Sequence, residues 1–131
     1  MNPVVHFEMS YGDKERAKAF YEQVFGWKTQ VLGPEMGEYI TVQTDETDAD
    51  GMLKKTNRIN GGLYKKQPDE KFNTPSLVIA VENIEVAMQK IKDAGGVILV
   101  EPMDIPTIGK YASFSDTEGN RASILQPNNK M

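Results

Sequence analysis

The stretch Val4–Trp27, VVHFEMSYGDKERAKAFYEQVFGW, carries the reading on which the fold rests. Its first part, Val5-His6-Phe7-Glu8-Met9-Ser10, alternates apolar and polar residues with the period of a half-buried strand. Gly12-Asp13 interrupts that alternation, and Asp13 is placed to cap a helix. Ala17, Phe20, Tyr21, Val24 and Phe25 then recur at helical spacing, and Gly26 stands where a left-handed cap ends the helix. The pattern predicts that Val5, Phe7 and Met9 pack under the helix. His6 and Glu8 then fall on the opposite face of the sheet, where function is expected.

The same order returns seventy positions later. Asp13 falls on Asn83, Ala17 on Ala87 and Gly26 on Gly96, so cap, helix and stop coincide. In the first half, strands are expected at 27–32, 39–43 and 61–66, with a long irregular loop at 44–60 and a polar linker at 67–74. In the second half, a strand at 77–81 precedes a helix with apolar positions Ile84, Ala87, Met88, Ile91 and Ala94. Further strands follow at 97–100, 110–115 and 121–126, with a proline-containing connection at 101–108 and a frayed tail at 127–131. Each half reads strand, helix, strand, strand, strand. A period this long is an internal duplication. Four short strands close no core alone, which favours one α+β domain over residues 1–131, with modules at about 1–67 and 75–127 around a shared groove.

Composition narrows the partners. The chain has 131 residues and a net charge of −4, which argues against nucleic acid and anionic membranes. It contains no cysteine, which removes disulfides and thiolate chemistry and fits a reducing compartment. No basic-then-apolar leader opens the sequence and no apolar run approaches the roughly 20 residues that span a bilayer, so a cytoplasmic protein is expected.

HFEM, RAKAFYEQVFGW, INGGLYKK, VENIEVAMQKIKDAGG and IGKYASFSDTEGNRASILQP together resemble the vicinal oxygen chelate superfamily. That superfamily includes glyoxalase I, bleomycin-resistance proteins and ring-cleaving dioxygenases, and the closest likeness is to its small bacterial branch related to lactoylglutathione lyase. The resemblance implies two βαβββ modules whose curved mixed sheets surround a groove, a small-molecule ligand, and a homodimer. Its metal-dependent members carry ligands on the first and last strand of each module. Here those positions hold His6, then Gly62 or Leu63, then Leu77 or Ser76, then Ser123. One imidazole is too few donors for a divalent ion, so no metal or other cofactor is expected.

His6, the only histidine, is the candidate acid or base, with Glu8 beside it on the same strand face. The bland alternative is a histidine held by Glu8 or a backbone carbonyl. Ser123, Tyr64, Tyr111 and Phe114 are candidate ligand contacts, although aromatic residues on strands are more often core. The acidic run Glu46-Thr47-Asp48-Ala49-Asp50-Gly51 imitates a calcium loop but lacks the closing glutamate, since Asn57 stands there. Three readings fit these residues: a lyase or isomerase using His6 and Glu8, a non-catalytic ligand-sequestering protein resembling bleomycin-resistance proteins, or a differently assembled metal site using His6 and Glu8 with carboxylates from the 44–60 loop.

Overall fold

The computed structural model describes residues 1 to 128, so the expectation for 129–131 lies outside the described residues. The fold is α+β and consists of two βαβββ modules. The first contains β1 (Val4–Tyr11), α1 (Lys14–Phe25), β2 (Lys28–Val31), β3 (Ile40–Gln43) and β4 (Asn60–Lys65). The second contains β5 (Ser76–Ala80), α2 (Ile84–Asp93), β6 (Val97–Ile105), β7 (Gly109–Ser115) and β8 (Arg121–Pro127). Within the first module the strand order is β2-β3-β4-β1, and within the second β6-β7-β8-β5. The first and last strands of each module run parallel, as β1 with β4 and β5 with β8, while the other pairs are antiparallel. The duplication seen in the punctuation of the sequence is therefore a duplication of topology.

Two compact units emerge, one comprising residues 6–75, the other residues 1–5 with the chain from Ser76 onward. The first two residues of β1 thus belong with the later half of the sequence, where the Ala80 amide donates to the Pro3 carbonyl at 2.9 Å.

The helix boundaries follow from local chemistry. Asp13 accepts from the Arg16 amide and Asn83 from the Val86 amide, each at 3.0 Å, which satisfies one orphan donor per helix. Gly26 closes α1 at φ 68°, and the Gly96 amide reaches back to Ile91 at 2.8 Å to close α2. In the unit of residues 6–75, Tyr11, Ile40, Val42 and Leu63 are buried, with Phe7, Met9, Ala17, Tyr21, Trp27 and Val31 packed against them. In the other, Ile84 and Met88 of α2 lie on Ala112 and Ile124, flanked by Ile79, Ile98 and Phe114.

Three expectations are corrected. Of the apolar positions of α1, only Ala17 and Tyr21 pack into the core, while Phe20, Val24 and Phe25 remain more than half exposed. Tyr21 stacks flat on Trp27, with ring centroids 5.0 Å apart and planes 7° apart. The strand expected at 97–100 extends to Ile105, because Pro102 sits on the outermost strand of its module and irregular pairing between Ile98 and Met103 accommodates it. Phe114 packs against the helix-side core rather than on the polar sheet face. The β6–β7 hairpin then turns through Thr107, at φ 68°, into Gly109.

Gly109 has φ 151°, and a Cβ there would lie 2.1 Å from the Gln126 carbonyl oxygen. Gly109→Ala should therefore destabilise the protein by about 1–3 kcal/mol, read as a lower urea midpoint at unchanged slope.

Candidate functional site

Strand parity separates the two faces of each module's strands. In the first module, Phe7, Met9 and Tyr11 point to the helix, so His6, Glu8 and Ser10 share the other face. The register sets Glu8 opposite Gly62, and Gly62 opposite Thr41. Of the two alternatives for the last-strand position, Leu63 is buried in the helix-side core, which leaves Gly62 on the His6 face.

Gly62 makes room for Tyr39. A Cβ on Gly62 would fall 1.7 Å from the Tyr39 hydroxyl oxygen and 2.0 Å from Cζ, so the ring lies directly over the bare backbone. The approach to Tyr39 is fixed from behind. Gly37 and Glu38 both adopt left-handed conformations, at φ 66° and 56°. The Tyr11 hydroxyl donates to the Glu38 carbonyl at 2.7 Å, and Lys14 Nζ holds the Glu38 carboxylate at 3.0 Å. The Lys14 hydrogen bond keeps the Glu38 carboxyl below its ordinary range.

From this position Tyr39 joins His6 to Glu8. Its hydroxyl donates to Glu8 Oε2 at 3.1 Å, and His6 Nε2 lies 3.4 Å from the Tyr39 hydroxyl oxygen. With the phenolic proton directed at the carboxylate, the His6 contact requires Nε2–H as donor, which makes Nδ1 the ring's acceptor. Glu8 is only 8% exposed. Burial lowers the pKa of His6 from 6.5, so the imidazole is neutral at neutral pH. A neutral imidazole, linked through a phenol to a buried carboxylate, can accept a proton and have the resulting charge balanced nearby.

The other sequence-nominated residues fall elsewhere. Tyr64 donates to the carbonyls of Phe72 and Thr74, the latter at 3.2 Å, while Ser10 donates to Asn73 at 2.9 Å. Both organise the 67–74 linker. In the second module, Ser123 is fully buried and lies 2.6 Å from the Tyr111 hydroxyl and 2.9 Å from Ser113 Oγ. Arg121 Nη1 donates to Ser113 Oγ at 3.4 Å. Tyr39, Ser113 and Arg121 were absent from the sequence-derived candidates. Alternation from the buried Ile40 and Val42 would have nominated Tyr39, but the role of Gly62 needed the strand register.

Asp48 lies in the acidic run that imitates a calcium loop. Its Oδ1 accepts from the Asp50 and Met52 amides at 2.9 and 3.0 Å, forming a self-closed turn. A concavity of about 470 Å³ nearby is lined by residues including Lys28, Gln43, Thr44 and Lys54, and does not include His6. Among the described residues no three His, Cys, Asp or Glu side chains gather as a metal site. On β4 the position opposite Glu8 is glycine, and on β8 the position opposite Val78 is serine. This donor set does not fit the divalent ion of the metal-dependent relatives. Among the described residues no helix is long and apolar enough to cross a membrane.

Residues 4–124 match the model of the Glyoxalase/Bleomycin resistance protein/Dioxygenase superfamily, and the chain belongs to that family. Among curated proteins, the putative glyoxylase CFP32 of Mycobacterium tuberculosis is 30% identical over 111 residues, covering 85% of this chain and 39% of its own. The anthracycline biosynthesis protein DnrV of Streptomyces peucetius is 22% identical over 128 residues, covering 86% of this chain and 42% of its own. The chain thus spans about two fifths of the length of these curated relatives. Among solved structures, hypothetical protein BH1468 from Bacillus halodurans C-125 superposes with a TM-score of 0.70 at 14% identity, over 99% of this chain and 97% of that one. Streptomyces coelicolor methylmalonyl-CoA epimerase in complex with 2-nitronate-propionyl-CoA gives 0.67 at 15% identity, over 96% and 97%. These structural likenesses establish the fold.

Two measurements probe the cluster. Tyr39→Phe removes the donor to a buried carboxylate and should cost about 1–3 kcal/mol at pH 7, with Gly62→Ala producing an overlapping rather than additive loss. Because folding lowers the His6 pKa from 6.5, the folded state holds fewer protons than the unfolded chain below that pH. Stability should therefore be full above 6.5 and decline as pH falls below it through the folded pKa. His6→Gln should flatten that upper part of the urea-midpoint profile.

Proposed function

We propose that this chain binds a small organic carbonyl compound against the polar sheet face of its first module, and moves a proton on it through His6. The supporting observation is the His6–Tyr39–Glu8 chain. It places a neutral imidazole two hydrogen-bonded contacts from a buried carboxylate. In the proposed step, His6 Nδ1 takes a proton from the carbon next to the carbonyl, and the electron pair left behind moves onto the carbonyl oxygen. The imidazolium then donates more strongly to Tyr39, whose own proton is directed at Glu8. Return of the proton to the same carbon, or to a neighbouring one, makes the reaction an epimerisation or isomerisation. Loss of a leaving group from the adjacent carbon makes it a lyase reaction. General acid–base catalysis of this type contributes about 10²–10⁴ in rate.

The reading includes no resident metal, since the donor set at the family positions does not fit one. It also includes a homodimer related by two-fold symmetry, the commonest arrangement for a chain of this kind. The exposed Phe20, Val24 and Phe25 of α1 support self-association. The competing function, sequestration of a ligand without turnover, shares the same face but needs no proton transfer.

Deuterium exchange in D₂O discriminates the two. Methylmalonyl-CoA and the methylglyoxal–glutathione hemithioacetal serve as probes bearing an acidic C–H, each with and without added nickel or zinc. Exchange at the carbon next to the carbonyl is expected for the acyl thioester, falling about a hundredfold or more in His6→Gln. Neither metal should produce lactoylglutathione formation. Metal-dependent turnover with one tightly held ion per chain would overturn the metal-free reading. Tight binding without exchange, or exchange indifferent to His6, would replace acid–base catalysis by sequestration.

A further inference from the structure

The second module carries a polar cluster that the proton-transfer reading does not use. Ser113 and Ser123 pair across β7 and β8, and Ser123 faces Val78 of β5 in the register. Both serines are buried, at 2% and 0% exposure, whereas Tyr111 and Arg121 are half-buried. Two hydroxyls thus form a floor beneath a phenol and a guanidinium. The floor is tied together by the 2.6 Å Tyr111–Ser123 contact and the 2.9 Å Ser113–Ser123 contact. Arg121 Nη1 rests on it through Ser113 Oγ at 3.4 Å.

The groups differ in what they offer. Each hydroxyl can either donate or accept, so the serines and Tyr111 can reorient their protons to suit a neighbour. Arginine has no such choice, because its guanidinium is a fixed positive fork of five N–H donors. A group above Arg121 is therefore selected for negative charge and for two oxygens in one plane. Ala112, Ile124 and Phe114 occupy the other, helix-side face, away from this cluster.

From these placements, we propose that Arg121, supported by Ser113 and Ser123 and flanked by Tyr111, is a carboxylate-recognition subsite. Its ligand is a small organic compound bearing a free carboxylate. Binding there does not require His6. Arg121 has contacts within the protein beyond Ser113. The ligand carboxylate accordingly binds by exchange with one of them, with the Ser113 bond kept as the pivot.

The test uses acetate and malonate as probes, with malonamide as the neutral match of malonate, on the full ¹⁵N-labelled chain. The readout is the Arg121 side-chain Nε–Hε resonance. Acetate and malonate should shift that resonance saturably, and malonamide should leave it in place. Malonate affinity, followed by backbone resonances, should fall at least tenfold in Arg121→Gln, and less in Arg121→Lys, which keeps the charge but loses the fork. The backbone spectrum of each variant reports whether the fold is intact, and Arg121→Lys keeps the question open to decision if Arg121→Gln unfolds. His6→Gln should bind malonate as the natural chain does. A resonance that neither carboxylate moves, or malonate binding unchanged in both Arg121 variants, overturns the proposal. Should that occur while His6-dependent exchange persists on a neutral carbonyl compound, the subsite falls and the proton-transfer reading stands.

Discussion

Two adjacent glycines allow two aromatic rings to lie against the same short length of β4. A side chain on Gly61 would meet the Phe7 ring at 2.3 Å, and one on Gly62 would meet the Tyr39 hydroxyl oxygen at 1.7 Å. Successive strand residues face opposite ways, so one ring occupies the helix side and the other the polar side. Phe7 continues into an aromatic group with Trp27, 5.6 Å away, on which Tyr21 of α1 stacks. Tyr39 reaches His6 and Glu8 on the opposite face. The seating of α1 and the assembly of the candidate site therefore depend on the same bare dipeptide. Glycine costs conformational entropy in a strand, and here the cost is offset by packing on both sides.

The electrostatics of the site follow from what that packing leaves available. Glu8 is nearly inaccessible to water, where an unpaired carboxylate would be expensive, and the Tyr39 proton offsets part of that penalty. Burial also disfavours the charged form of His6. The result is a neutral ring, which is the state a resting base requires. Lys14 acts one step further out. Its hold on Glu38 fixes the left-handed turn from which Tyr39 departs.

Much of the fold was legible because it is written in local chemistry. Asp13, Gly26 and Asn83 signal helix ends by groups that bond to the nearest backbone, so neighbours in sequence suffice to read them. The faces of β1 were legible too, since His6 and Glu8 alternate with residues that are plainly apolar. Pro102 misled because its meaning depends on whether a strand lies at an edge, which is a property of the sheet. Phe114 and Ser113 could not be assigned from alternation alone, because neither face of β7 is uniformly apolar, and pairing with Ala122 and Ser123 was needed. Tyr39 and Gly62 are twenty-three residues apart, and nothing in either neighbourhood announces their contact.

The hydrogen bond from Ala80 to Pro3 also constrains the order in which a growing chain can become structured. The opening five residues share a unit with the segment that begins at Ser76, while residues 6–75 form the other unit. During synthesis at about 5–20 residues per second, Pro3 leaves the ribosome roughly 4–15 seconds before its partner does. Birth order and structural membership are thus inverted at the start of the chain. Val4 and Val5, both apolar, are made well before the segment from Ser76 with which they are grouped.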